Sequence, residues 1–88
     1  MAKVLVRLPV GVVLPGMSPL MECEGATVAE VLADCTAQEP RLKSRVFRQD
    51  GTPWVGIVLN GRNVTTETSL TAVENGDEIR MLPLAGVC

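Results

Sequence analysis

Gly25-Ala26-Thr27-Val28-Ala29-Glu30-Val31-Leu32-Ala33-Asp34-Cys35 is the stretch on which the reading of the whole chain turns. Thr27-Val28-Ala29-Glu30 fits the capping box S/T-x-x-E/Q, in which the hydroxyl accepts from an orphan backbone N–H and the glutamate reaches back. Val28, Val31, Leu32 and Cys35 follow at i, i+3, i+4 and i+7 and therefore share one face, while Glu30, Asp34 and Gln38 point elsewhere. A helix starts at Thr27 and is bounded by Pro40. Its apolar stripe needs a cover, and the flanking sequence offers strands.

Upstream, Val4, Val6 and Leu8 alternate with Lys3, Leu5 and Arg7 until Pro9, the period of two of a half-buried strand. Residues 11–18 carry Gly11, Pro15 and Gly16 and read as the first hairpin loop, after which residues 20–24 return as strand two. Downstream of the helix, residues 41–47 are expected to add a short helical turn before the loop of residues 49–53. Val55, Ile57 and Leu59 alternate up to Asn60-Gly61, a pair that tolerates positive φ and signals a hairpin. A short strand over residues 62–64 follows. Residues 65–73 are polar, with Leu70 expected as their anchor, and Asn75-Gly76-Asp77 turns the chain into a last strand over residues 78–82, stopped by Pro83. The order β-β-α-β-β-β supports an α+β domain, with one main helix on one face of a mixed sheet and the two end strands central and parallel.

Eighty-eight residues close one core and leave no room for a second. Residues 1–82 make the domain and residues 83–88 a flexible tail. With 47% hydrophobic and 20% charged residues the chain has the balance of a packed domain. A net charge of −2, one Trp and one Phe provide neither the basic field nor the stacking platforms that nucleic acid needs. The apolar residues 4–21 are interrupted by Arg7, Pro9, Gly11, Pro15, Gly16 and Pro19, so no membrane span or signal segment is read there, and a cytoplasmic location is expected. Cys23, Cys35 and Cys88 form no CxxC pair and the chain has no His, so no metal site is expected. The odd count argues against a disulfide framework and for a reducing compartment. Cys35 reads as a small core residue; the face taken by Cys23 stays open.

Three pieces of sequence carry a resemblance: Val55-Gly56-Ile57-Val58-Leu59-Asn60-Gly61, Glu74-Asn75-Gly76-Asp77-Glu78-Ile79, and the end Leu82-Pro83-Leu84-Ala85-Gly86. In this order and at this distance from the C-terminus they resemble the ubiquitin-like sulfur carriers. That family includes the small subunit of molybdopterin synthase, the thiamine-pathway carrier and the carrier of bacterial cysteine synthesis. The resemblance implies a β-grasp fold and a domain that binds no cofactor and is not itself an enzyme, with no catalytic residue of its own. In the family the chain ends in Gly-Gly, whose carboxylate a partner enzyme adenylates with ATP before a sulfur donor turns it into a thiocarboxylate. A free carboxylate is a poor electrophile, so AMP supplies the leaving group, and glycine lets an extended tail pass a narrow tunnel.

Here the chain reads Ala85-Gly86-Val87-Cys88 instead. One reading is a precursor from which a metalloprotease removes Val87 and Cys88, leaving Gly86 as the carrier terminus, with Pro83, Leu84 and Ala85 contacting the partner. The implied partners are then an adenylating enzyme, that protease and a sulfur-acceptor enzyme. The other is a β-grasp binding module that is never activated and uses its sheet face or its tail. Residues 83–86 fully extended reach about 13–14 Å, enough to enter a partner's pocket. Cys88 is either a reactive thiol on the tail or a removed residue. Arg41, Lys43, Arg45 and Arg48 hold half of the eight basic residues; a solvated face is the plainer reading, docking to an acidic patch the sharper one. Trp54 is expected to cap the core at the start of its strand.

Overall fold

The structure is a computed structural model that describes residues 2–9, 16, 18–47 and 55–83. Strand β1 (Ala2–Arg7) buries Val4 and Val6 and exposes Lys3 and Arg7, as its alternation requires. It pairs antiparallel with β2 (Leu20–Gly25), Val4 opposite Cys23. Helix α1 (Val28–Gln38) starts at Thr27, whose Oγ1 accepts from the Glu30 N–H at 3.3 Å. The Glu30 carboxylate reaches back to the Ala26 N–H at 3.1 Å, which closes the cap. All four residues of the stripe, Val28, Val31, Leu32 and Cys35, are buried against the sheet.

Past Glu39, a 3-10 turn (Pro40–Leu42) leads into α2 (Lys43–Val46); the pair buries Leu42 and Val46 and matches the short helical turn expected there. Strand β3 (Val55–Leu59) turns through Asn60 and Gly61, at φ 49° and 87°, into β4 (Arg62–Asn63). That strand stops one residue short of expectation because a side chain takes over from the backbone. The Ile57 N–H donates to Thr65 Oγ1 at 2.9 Å while Val64 turns inward, its own N–H still on the Ile57 carbonyl at 2.8 Å. Strand β5 (Glu78–Pro83) completes the sheet and runs through Pro83, which pairs with Val55.

The sheet order is β2-β1-β5-β3-β4, with β1 and β5 parallel and the other pairs antiparallel. The end strands are thus central and parallel, and with α1 across one face this is the β-grasp arrangement. The core lies between that helix and Val4, Val6, Cys23, Ile57, Ile79 and Met81. Each fully buried Val, Leu, Ile or Met contributes about 1.5–3 kcal/mol, against about 0–1 for an exposed ion pair, so the helix–sheet contact dominates.

Two further expectations fail. Leu70 is 85% exposed and anchors nothing; Val64, Thr71 and Val73 hold that segment, Thr71 being buried because its hydroxyl donates to the Glu67 carbonyl at 2.7 Å. The argument from an odd cysteine count fails as well. Cys23 and Cys35 are joined by a disulfide, with Cα atoms 5.8 Å apart, inside the usual range of about 4.4–6.8 Å. An odd total does not prevent one pair. Cys23 shares the inner face of β2 with Gly25, and Cys35 belongs to the stripe above it.

Helix α1 also covers the free edge of β2. The Glu24 N–H donates to Asp34 Oδ2 at 2.8 Å, and Gln38 Nε2 donates to the Glu22 carbonyl and to Asp34 Oδ2, both at 3.0 Å. Asp34 and Gln38, which point away from the stripe, therefore satisfy strand groups that would otherwise invite another chain. The readings for the loop of residues 49–53, for Trp54 and Arg48, and for most of residues 11–18, lie outside the described residues. Among the described residues no helix is long and apolar enough to cross a membrane.

Candidate functional site

The candidate site is the C-terminal end of β5, from which residues 84–88 continue. The sequence places Asn60-Gly61 and Asn75-Gly76-Asp77-Glu78 far apart, and the fold interlocks them at the start of that strand. Asn60 Oδ1 accepts from the Glu78 N–H at 2.9 Å and Asn60 Nδ2 donates to Asp77 Oδ1 at 3.0 Å. Asp77 Oδ2 accepts from the Glu74 N–H at 2.8 Å, and Asn75 Oδ1 accepts from the Lys3 N–H at 2.8 Å. Short polar side chains thus replace ladder bonds where the chain must turn through Gly76 at φ 89°. Strand β5 is fixed at its start by this net and along both sides by β1 and β3. The tail leaves from a rigid, central strand.

Among the described residues the sheet face opposite α1 is open. Register places Lys3, Leu5 and Arg7 of β1, Leu20, Glu22 and Glu24 of β2, Val58 of β3, and Glu78, Arg80 and Leu82 of β5 on it. Near the tail, Arg7 Nε donates to Glu78 Oε2 at 2.8 Å, and Arg80 lies 3.9 Å from Glu78 Oε1. The hydrogen bond from Arg7 holds the Glu78 carboxyl below the ordinary carboxylate range, and the charges of Arg7 and Arg80 add to it. Away from this face, Arg41 makes paired bonds to Glu39 at 2.8 and 2.9 Å, which lower the Glu39 carboxyl in the same way. Part of the basic cluster of the sequence is thus partnered locally.

Among the described residues no group of three His, Cys, Asp or Glu side chains is placed to hold a metal ion. Of the residues singled out for the tail, Pro83 is the last residue of β5 and paired; Leu84, Ala85, Gly86, Val87 and Cys88 lie outside the described residues. The sequence reading missed Arg7, Glu78 and Arg80 as a group. A period of two puts each on the outer face of its strand, but only the parallel pairing of β1 with β5 brings them together.

The sequence profile of the ThiS family matches residues 14–86, most of the chain. The chain belongs to the ThiS family. Its ThiS-type β-grasp is shared by solved structures over nearly the full length. Small archaeal modifier protein 1 of H. volcanii aligns with a TM-score of 0.82 at 25% identity, over 94% of this chain and 98% of that one. The protein of the same name from Methanosarcina acetivorans aligns at 0.74 and 25%, over 98% and 96%. A chain of the Amycolatopsis orientalis BexX/CysO complex aligns at 0.72 and 28%, over 94% and 98%. No curated protein sequence matches. The ThiS membership places the chain in the ubiquitin-like sulfur-carrier family, as the three sequence pieces suggested.

Proposed function

We propose that the protein is a sulfur carrier activated at Gly86 after a protease, of metalloprotease type, removes Val87 and Cys88. The Gly86 carboxylate attacks the α-phosphorus of ATP on a partner enzyme, releasing pyrophosphate and forming an acyl adenylate. Hydrosulfide, or a donor delivering it, then displaces AMP and leaves a thiocarboxylate that a sulfur-acceptor enzyme consumes. The domain binds no cofactor and supplies no acid, base or metal to these steps. It presents the tail, with Pro83, Leu84 and Ala85 lying along the partner's channel. The cytoplasm, where ATP is at hand, is the proposed location. The observation that carries the reading is the family match, which ends on Gly86 and so leaves Val87 and Cys88 beyond the shared pattern.

Intact mass of the protein from its native host tests this. A species ending at Gly86, alone and heavier by the sulfur-for-oxygen difference, is expected. A mass of residues 1–88 throughout, in cells that hold the activating enzyme and the protease, refutes it and favours a module that is never activated. A second reading is favoured by the likeness to the archaeal modifier proteins: the same activated glycine acylates a lysine of another protein. Gly86-linked conjugates in the same extract distinguish that outcome from the thiocarboxylate.

A further inference from the structure

We propose that Asn60 is a self-modification site, converted through a cyclic imide to aspartate or isoaspartate, and that the conversion loosens the start of β5. The proposal stands whether or not Gly86 is activated. The chain holds two Asn-Gly pairs, Asn60-Gly61 and Asn75-Gly76. In each, the glycine nitrogen can close a ring on the asparagine side-chain carbon, because glycine carries no Cβ to shield it. That nitrogen must give up its proton to attack. Sequence alone ranks the two pairs equally, and the fold separates them. The Gly76 N–H donates to the Lys3 carbonyl at 3.0 Å, and Asn75 Oδ1 accepts from the Lys3 N–H at 2.8 Å. Attack there has to break both bonds to β1.

Gly61 sits exposed at the tip of the β3–β4 hairpin, and a Cβ built there would meet nothing within 4 Å. Among the described residues no acceptor meets the Gly61 N–H, so its proton is open to solvent base. The Glu78 N–H donates to Asn60 Oδ1 at 2.9 Å, which polarises the carbon under attack and favours the negative charge that grows on that oxygen. As the base takes its proton, the Gly61 nitrogen bonds to Asn60 Cγ; the Cγ–Nδ2 bond then breaks and Nδ2 leaves as ammonia. Water opens the imide at either carbonyl, and the sum is amide plus water to carboxylate plus ammonium. A donor is thereby replaced by an acceptor. Asn60 Nδ2 lies 3.0 Å from Asp77 Oδ1, so a carboxylate in its place sets two negative charges against each other. Isoaspartate also lengthens the backbone between the register partners Leu59 and Arg62. Either product weakens the hold of Asn60 on Asp77 and Glu78, the latter including the Asn60 N–H to the Glu78 carbonyl at 2.9 Å.

The test incubates full-length protein at mildly alkaline pH, both folded and in urea, and maps the products by peptide mass spectrometry, with an isoaspartyl methyltransferase as the probe for isoaspartate. In urea the two asparagines are expected to convert at similar rates, and in the folded protein Asn60 several-fold faster than Asn75. Equal rates in the folded protein, or Asn75 ahead, overturn the site. The consequence is read separately, on Asn60→Asp and on the aged wild-type fraction that ion exchange separates by its added negative charge. Both are expected to show a lower Tm and faster amide exchange at Glu78 and at Leu5, whose N–H donates to the Asp77 carbonyl at 3.0 Å. Asn75→Asp keeps an oxygen for the Lys3 N–H and is expected to stay near wild type. Unchanged Tm and exchange in Asn60→Asp and in the aged fraction overturn the loosening of β5.

Discussion

Opening the Cys23–Cys35 bond is the perturbation whose size the structure allows to be worked out most directly. Both residues are 0% exposed, with their Cα atoms 5.8 Å apart, so reduction leaves two thiols in place and the composition of the core unchanged. What changes is the unfolded chain, which loses the closure of a loop spanning 12 residues. The loop-closure relation, −2.1 − 1.5R ln n, gives about −9.5 cal/mol/K for this loop, or about 2.8 kcal/mol at 25 °C. With an unfolding entropy of about 2.1 cal/mol/K per residue, a chain of this length should lose roughly 15 °C in Tm. The assay is scanning calorimetry on one preparation, half oxidised and half reduced in denaturant and refolded under a phosphine, with thiols counted by alkylation under denaturing conditions. Superimposable transitions from samples whose thiol counts differ by the pair would refute the entropic argument.

Gly25→Ala is expected to cost about 1–3 kcal/mol, because a Cβ there would meet the backbone nitrogen of Val31 at 2.7 Å and Glu30 Cβ at 2.8 Å; urea unfolding measures it. Thr27→Ala removes the oxygen that accepts from the Glu30 N–H and should cost about 0.5–2 kcal/mol, with faster amide exchange confined to the first turn of α1. Glu78 has its carboxyl lowered by Arg7, so its ionic contribution is complete above the unfolded value of 4.5 and is lost as pH falls through the lower folded one. The difference in Tm between wild type and Arg7→Gln should accordingly be constant at neutral pH and vanish in acid, and a difference that instead shrinks towards alkaline pH would contradict the sign.

What could be read from the sequence was local. Thr27 and the stripe after it specify a capped helix within a dozen residues, and Asn60-Gly61 and Gly76 specify turns because positive φ is a demand made at single positions. The central, parallel placement of the end strands followed from the count and kind of elements. What stayed hidden joins residues that only the tertiary fold brings together. Asn60 meets Asp77 and Glu78, Arg7 meets Glu78, and Asp34 and Gln38 of the helix close the edge of β2, at separations no periodic pattern encodes. Cys23 could be placed on a face only once its strand was paired. Leu70 shows the reverse error: an apolar residue in a polar segment looks like an anchor, but the buried member is Thr71, whose hydroxyl finds a partner. For Gly86 and its neighbours the case rests on family likeness rather than on local physics.

The tail continues from a strand held on both sides, parallel to β1 and antiparallel to β3. A pull on residues beyond Pro83 runs along the axis of β5, across the direction of its ladder bonds. Those bonds are loaded together in shear rather than peeled one after another from an end. Under the proposed function, an enzyme drawing the tail into a channel would therefore meet a stiff handle, and traction that seats the terminus would leave the domain behind it folded.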